Sequence, residues 1–387
     1  AGGRDVVDVG ICPTPALAWS VARRAHGAGV MVSASHNPAP DNGLKVLDPR
    51  GLKLDEEREE ALEERMDADP ARPGPGNAAI GRMRVDPTAL DAWRADRLAV
   101  ARALPADLRI AVDAAHGSAS GEAGPILAAS GASVRVHYAS PDGANINEGC
   151  GATHPEALAA IVRAEGGDLG VAFDGDADRC VAVDETGAVV DGDRLIGILA
   201  LDRLERGHPG AGTVVVSILS NGGLRRAIAA AGGRVVETPV GDRWILDEMV
   251  RTGAAVGGEK SGHIILPEHG LCGDGILTAL ALAGIVARTG LPVSALAARI
   301  ELLPQVQRAV PVARLAAWAS DTVLTAAIAD AQAELGPDGR LLVRASGTEP
   351  VLRVMAEGED GARIARIADG LIDLARERLG TPVAPRG

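Results

Sequence analysis

Short runs of Val, Ile, Leu and Ala recur along the chain, each closing on small or polar residues, with helical patterns between them. Strand-like runs fall at residues 6–9, 30–32, 109–112, 134–136, 170–173, 180–183, 213–216 and 234–236. A charged helix is predicted over about residues 55–67, and others follow Thr153-His154-Pro155-Glu156, to about Glu165, and Ser220-Asn221. Thr153 and Glu156 have capping-box spacing. Such βαβα order predicts mixed or parallel sheets covered by helices. The tail breaks the rhythm: strands at 341–343 and 351–357 and an amphipathic helix over about 361–379 predict a smaller α+β domain.

At 387 residues the chain is too long for one core, and two to four domains are expected. The Pro/Gly cluster Pro70-Ala71-Arg72-Pro73-Gly74-Pro75-Gly76 is the best linker signal. Hydrophobic residues make up 47%, yet Phe173 and Tyr138 are the single Phe and Tyr, so the cores are built from Ala, Val, Leu and Ile. A formal charge of −13 argues against nucleic acid as a partner. Any anionic ligand must then be held by local Arg, Lys or backbone N–H groups. The four cysteines lie far apart without a C-x-x-C pair, which fits a reducing compartment rather than a disulfide framework or zinc site. No apolar run is long enough to span a membrane and no signal peptide is visible, so a cytoplasmic location without membrane contact is expected.

Four loops carry chemistry. In the first, the strand Val30-Met31-Val32 runs into Ser33-Ala34-Ser35-His36-Asn37-Pro38, followed by Asp41-Asn42-Gly43-Leu44-Lys45. This geometry lifts the Ser35 hydroxyl from a sheet edge with an imidazole beside it and an amine ten residues on, suited to carrying an electrophile. An ordinary polar turn is the alternative. The second, Asp174-Gly175-Asp176-Ala177-Asp178-Arg179, alternates carboxylates in a tight turn, a hard-oxygen set suited to Mg²⁺. It also admits an acidic surface turn or an aspartyl-phosphate phosphatase with Asp174 as nucleophile. In the third, Gly257-Gly258-Glu259-Lys260-Ser261-Gly262-His263, the alternating Glu259, Ser261 and His263 can grip vicinal sugar hydroxyls, unless it is simply a polar strand end. The fourth, Arg344-Ala345-Ser346-Gly347-Thr348-Glu349-Pro350 with Arg353 after it, offers guanidinium groups, hydroxyls and backbone N–H groups to a phosphate dianion. A structural turn with an incidental ion pair is the alternative there.

In this order the four loops resemble the serine, metal, sugar and phosphate loops of the α-D-phosphohexomutase family, most closely its bacterial phosphoglucosamine mutases. The runs Asn145-Ile146-Asn147-Glu148-Gly149-Cys150-Gly151, Val240-Gly241-Asp242-Arg243 and Gly273-Asp274-Gly275-Ile276 strengthen the likeness, which covers essentially the whole chain. The resemblance implies three related α/β mixed-sheet domains, the first incomplete, plus a C-terminal α+β domain. The expected bounds are 1–82 for the serine-loop domain, 83–194 for the metal-loop domain, 195–306 for the sugar-loop domain and 307–387 for the phosphate-binding domain.

It further implies a phosphosugar mutase that moves a phosphoryl group between O6 and O1 of a hexose phosphate. The favoured conversion is glucosamine 6-phosphate to glucosamine 1-phosphate, through phospho-Ser35 and a glucosamine 1,6-bisphosphate intermediate or activator. One Mg²⁺ per chain would be held by Asp174, Asp176, Asp178 and a phosphoserine oxygen on Ser35. His36, Lys45 and Arg179 would flank the transferring group, with Lys45 a candidate acid/base. Glu259, Ser261 and His263 would bind sugar hydroxyls, and Arg344, Ser346, Gly347, Thr348 and Arg353 the non-reacting phosphate. The expected partner is a small hexosamine phosphate, in a cell-wall precursor and amino-sugar pathway, with the chain a monomer or homodimer.

Lys260 stands where phosphoglucosamine mutases usually have Gln, and Ala345 where they have Pro. The family's opening F-G-T-D-G-I-R-G and G-R-D-T-R runs do not occur before Ala1. The expectation is therefore a truncated sequence lacking an active-site arginine, with a weakened first domain. A sister phosphomannomutase or phosphoglucomutase, or an inactive sugar-phosphate binder, are the competing readings.

Overall fold

The computed structural model describes residues 3–68, 80–100, 103–346 and 349–381. The Pro/Gly cluster at 70–76 lies outside these residues. Contacts divide the chain into two units, one comprising Ala1–Ser220 and Ala227–Ile300, the other Asn221–Arg226 and Glu301–Gly387.

The first unit is built around repeated strand–helix arrangements. Near the start are two separate strand pairs: β1 (Val6–Asp8) lies parallel to β4 (Met83–Val85), and β2 (Gly29–Val32) is antiparallel to β3 (Leu44–Leu47). A five-stranded sheet follows, ordered β6-β5-β7-β8-β9, from β5 (Arg109–Asp113), β6 (Ser133–His137), β7 (Leu169–Phe173), β8 (Cys180–Asp184) and β9 (Val189–Val190). A four-stranded sheet, β11-β10-β12-β13, comprises β10 (Thr213–Ser217), β11 (Arg234–Thr238), β12 (Val256–Gly258) and β13 (Ile264–Ile265). The five- and four-stranded sheets repeat one plan: a central strand with a parallel neighbour on each side, one of which pairs antiparallel with the next strand.

Every residue of β7 and β8 is buried, which explains their near-continuous apolar sequences. Leu158, Ala159 and Val162 of helix Pro155–Glu165 pack on Ala111, Ala172 and Val183, while helix Gly275–Thr289 packs on β7 and β8. The alternation of strand side chains thus gives both sheet faces a helical cover. The capping box does not form. Pro155 takes the first helical position, so His154 becomes the N-cap without a side-chain cap bond. Thr153 falls one residue outside, because proline's fixed φ is preorganised for the first turn.

The second unit is the expected α+β arrangement. An antiparallel sheet, β14-β16-β15, forms from β14 (Gln305–Pro311), β15 (Arg340–Ala345) and β16 (Val351–Glu357). Helices Thr322–Leu335 and Gly361–Leu379 are N-capped by Asp321 and Asp360. They bury Leu324, Ile364, Ala368 and Leu371 against Val310, Val354 and Ala356. Three α/β regions, of which the first holds two separate strand pairs with their helices, plus a C-terminal α+β region agree with the sequence reading. No helix among the described residues is long and apolar enough to cross a membrane.

Candidate active site

The metal loop is the hairpin connection between β7 and β8, whose pairing of Phe173 with Cys180 fixes both of its ends. Asp174, Asp176 and Asp178 are 0%, 1% and 3% exposed, and one carboxylate oxygen from each lies within 4.8 Å of the others. Oδ1 of Asp176 and Oδ1 of Asp178 are buried without a hydrogen-bond partner. Burial and the charges of Asp178 and Asp176 push Asp174 well above the carboxylate range. Three buried carboxylates with unfilled oxygens are a donor set that fits a small divalent cation.

Ser35 stands in a left-handed conformation, φ 55°, three residues beyond the end of β2. Its N–H donates to Ser33 Oγ at 2.9 Å, and its own Oγ donates to Asp174 Oδ2 at 2.7 Å. A turn with a non-glycine residue at positive φ carries strain that its surroundings must hold. Asn147 does part of this, its Nδ2 donating to the carbonyls of both Ser35 and Asn37, at 2.9 and 3.0 Å. A Cβ on Gly175 would come within 2.5 Å of the Ser35 carbonyl, so only glycine lets the two loops approach so closely.

Lys45 returns to the serine through the hairpin, because the β2–β3 register sets it opposite Met31. Its Nζ donates to Asp176 Oδ2 at 2.5 Å and Asp178 Oδ2 at 3.2 Å. Burial opposes its charge, but Asp178 and Asp176 outweigh burial and hold its pKa above the ordinary value. Lys45 is here a proton-bearing cation, able to act as an acid or electrostatic partner. His36 is moved the other way: burial and the Arg179 charge lower its pKa despite Asp178 and Asp176. Arg179 Nε lies 3.8 Å from Asp174 and 3.9 Å from Asp178.

The sugar loop joins the metal loop through the backbone. Arg179 bridges His263, and the Cys180 N–H donates to the Gly262 carbonyl at 3.0 Å. Gly262 is at φ 91°, and a Cβ there would meet the Cys180 carbonyl at 2.2 Å. His263 is buried with Nδ1 3.7 Å from Asp178 Oδ2. Burial alone would lower its pKa, but Asp178 raises it above the ordinary histidine value. Ser261 Oγ is buried without a partner, and Glu259 accepts the Gly241 N–H at 3.1 Å.

In the second unit, Arg344 and Arg353 are cross-strand partners in the β15–β16 register. Like charges directly opposite destabilise a sheet unless an anion joins them. Burial and Arg353 together lower the Arg344 pKa. The Ser346 N–H donates to the Val351 carbonyl at 2.8 Å, and Arg353 reaches Glu349 at 3.4 Å. Gly347 and Thr348 lie outside the described residues.

Four residues beside the four loops were assigned no role in the sequence reading. Asn147 anchors the serine loop. Thr14 donates its N–H to the Asp176 carbonyl at 2.9 Å and its hydroxyl to the Asp176 carboxylate. Lys53 pairs with Asp242, whose Oδ2 is 3.9 Å from His263 Nε2. Asn147 and Asp242 sit in runs that stand out in the sequence, but only tertiary contact shows what they touch.

Family profiles for phosphoglucomutase/phosphomannomutase match in order: alpha/beta/alpha domain I at 1–72, domain II at 90–187, domain III at 191–303 and the C-terminal domain at 309–374. A phosphoglucosamine mutase from Symbiobacterium thermophilum is 46% identical over 380 residues, covering 98% of this chain and 85% of that protein. One from Frankia alni is 47% identical over 383 residues, covering 99% and 84%. The crystal structure of a phosphoglucomutase/phosphomannomutase family protein from Burkholderia thailandensis superposes with a TM-score of 0.79 at 27% identity, covering 98% of this chain and 85% of that one. Identity at this level over nearly the whole chain, with all four domain profiles in sequence, establishes that the chain belongs to the phosphoglucomutase/phosphomannomutase family.

Proposed function

We propose that the chain is a phosphosugar mutase acting on hexosamine phosphates, converting glucosamine 6-phosphate to glucosamine 1-phosphate through phospho-Ser35. The observation that carries this reading is the Ser35 hydroxyl 2.7 Å from Asp174, at the mouth of a carboxylate set that also touches Lys45 and the sugar loop. Phosphoryl transfer asks for positioning and charge neutralisation more than covalent chemistry, and this arrangement supplies both.

In the forward half-reaction the sugar O1 attacks the phosphorus of phospho-Ser35. The new O–P bond forms as the Ser35 Oγ–P bond breaks, and the proton lost by the sugar hydroxyl is regained at Ser35 Oγ. We assign that relay to Lys45 and His36, and the phosphoryl oxygens to Arg179. The resulting glucosamine 1,6-bisphosphate turns over, and Ser35 Oγ takes the 6-phosphoryl by the reverse step. Glu259, Ser261 and His263 hold the sugar hydroxyls. Arg344, Ser346, Gly347, Thr348 and Arg353 are assigned the phosphate that is not reacting. Asp174, Asp176, Asp178 and an oxygen on Ser35 would hold Mg²⁺, which when bound neutralises charge on the transferring group.

The phosphatase reading, with Asp174 as nucleophile, is disfavoured because that carboxyl is fully buried and already accepts the serine hydroxyl. Phosphorus NMR of the protein with Mg²⁺ and glucosamine 6-phosphate, primed with the bisphosphate, should show the 1-phosphate growing in. Release of inorganic phosphate alone would overturn the mutase reading.

A further inference from the structure

We propose that Asp242 is the subsite for the 2-ammonium group of the sugar, and that Lys53 holds its place until an amino sugar enters. This rests on the reading of the chain as a hexosamine-phosphate mutase and assigns the residue that selects the amine.

The argument starts from where Asp242 stands. It opens helix Asp242–Thr252, immediately after the Gly241 N–H that donates to Glu259 Oε1 at 3.1 Å. Its Oδ2 is 3.9 Å from Nε2 of His263. The carboxylate therefore lies beside His263, one residue from the backbone N–H that Glu259 accepts. The metal-loop carboxylates are at most 4% exposed as side chains, whereas the Asp242 side chain is 27% exposed and open to a ligand.

A primary ammonium already occupies it. Lys53 reaches over from the connection between β3 and helix Glu56–Ala68 and pairs with Asp242 Oδ2. Burial raises the Asp242 carboxyl, but His263 and Lys53 outweigh it and keep the group ionised. Lys53 also has somewhere to go. Its side chain is 31% exposed, so once displaced the ammonium can turn to solvent.

An incoming sugar ammonium can thus exchange for the lysine ammonium at Asp242, with the Asp242 charge kept paired and Lys53 released to solvent. A sugar with a 2-hydroxyl gains no such counter-charge and leaves the lysine in its way. Discrimination then comes from an attraction for the amine and an obstacle to the hydroxyl together.

The test compares glucosamine 6-phosphate with glucose 6-phosphate, which differ only at the 2-position, across the parent, Asp242→Asn and Lys53→Met. Thermal melts establish that each variant is folded. Asp242→Asn should lower kcat/KM for the amino sugar at least about tenfold more than for glucose phosphate, mainly through KM. Lys53→Met should shift the ratio the opposite way, lowering KM for the amino sugar relative to glucose phosphate. In the parent, KM for the amino sugar should rise as pH passes the pKa of the substrate amine, and Asp242→Asn should flatten that rise. Equal losses on both sugars in either variant, or an unchanged ratio, would overturn the assignment and leave the Lys53–Asp242 pair as a structural tie. A parent that turns over glucose phosphate and not glucosamine phosphate would instead overturn the hexosamine reading itself.

Discussion

Every residue of β7 and β8, which launch the metal loop, is buried, whereas in β2 and β3, which carry the serine loop, Val30, Val32 and Leu44 are 56%, 63% and 55% exposed. The first pair belongs to a five-stranded sheet with helices packed against it, and the second is a two-stranded sheet with helix Thr14–Arg23 against one face of β2 and the other face open. Beside that hairpin runs a cleft of about 1410 Å³, lined by Val6, Val30, Val32 and Met83 and reaching Ser35 and Asp176. The carboxylates are therefore positioned by a packed core, and the serine is positioned largely by polar contacts to the carboxylate loop and to Asn147. Isolated two-stranded ribbons are marginal on their own, so coupling to a rigid neighbour is what makes the serine geometry definite.

The largest expected effects come from the two residues that meet across this boundary. Ser35→Ala should lower turnover by about a thousandfold or more, because the proposed phosphoryl carrier is removed while the core is untouched. Intact-mass analysis should then lose a phosphate-sized addition that the parent carries at residue 35; a phosphate mapped to Asp174 would reverse the roles of the two loops. Asp176→Asn should cost about a hundredfold or more, since loss of a ligand exceeds the 10–100-fold that outer-shell changes cause. Added Mg²⁺ should rescue part of this loss, and chelation should abolish activity in the parent. Full activity of the variant under chelation would separate the carboxylate set from metal binding.

Arg344 and Arg353 test the same contrast in the second unit, where β16 is well buried and the paired guanidinium groups are not. Either change to Ala should raise KM about 10–100-fold, the worth of a charge-assisted phosphate contact. Melting temperature should hold or rise, because a like-charge cross-strand pair is relieved. A lower melting temperature with unchanged KM would make the pair structural.

How much of this was legible in sequence follows the same line. The buried strands 170–173 and 180–183 read directly from their apolar runs, and the hairpin between them placed Asp174, Asp176 and Asp178 together. Lys45 was legible as a neighbour of Ser35 because a short hairpin links them. Thr14, Asn147 and Lys53 were not, because their partners lie 162, 112 and 189 residues away and no local period encodes such a contact. Thr153 misled because capping-box spacing competes with proline's preference for the first helical position, and proline prevailed. The exposed faces of β2 and β3 were not legible, since Val30-Met31-Val32 by itself reads as an ordinary core strand.

Asn147→Ala is the smallest and most discriminating change. Its amide ties the carbonyls of Ser35 and Asn37 to the metal-loop region, and two part-buried hydrogen bonds are worth about 1–3 kcal/mol together. Loss of the tie should free the strained Ser35 turn while leaving β7 and β8 as they are. In the parent, hydrogen exchange at residues 29–47 should be faster than at residues 169–184, because shallowly buried strand pairs open locally at lower cost. In Asn147→Ala the first segment should exchange faster still, with no change in the second. Turnover should fall about tenfold with KM nearly constant, since misplacement of a reacting group lowers kcat before it lowers binding. Equal protection of the two segments in the parent would mean that the serine loop is held by its own fold, and the coupling drawn here between the two regions would be wrong.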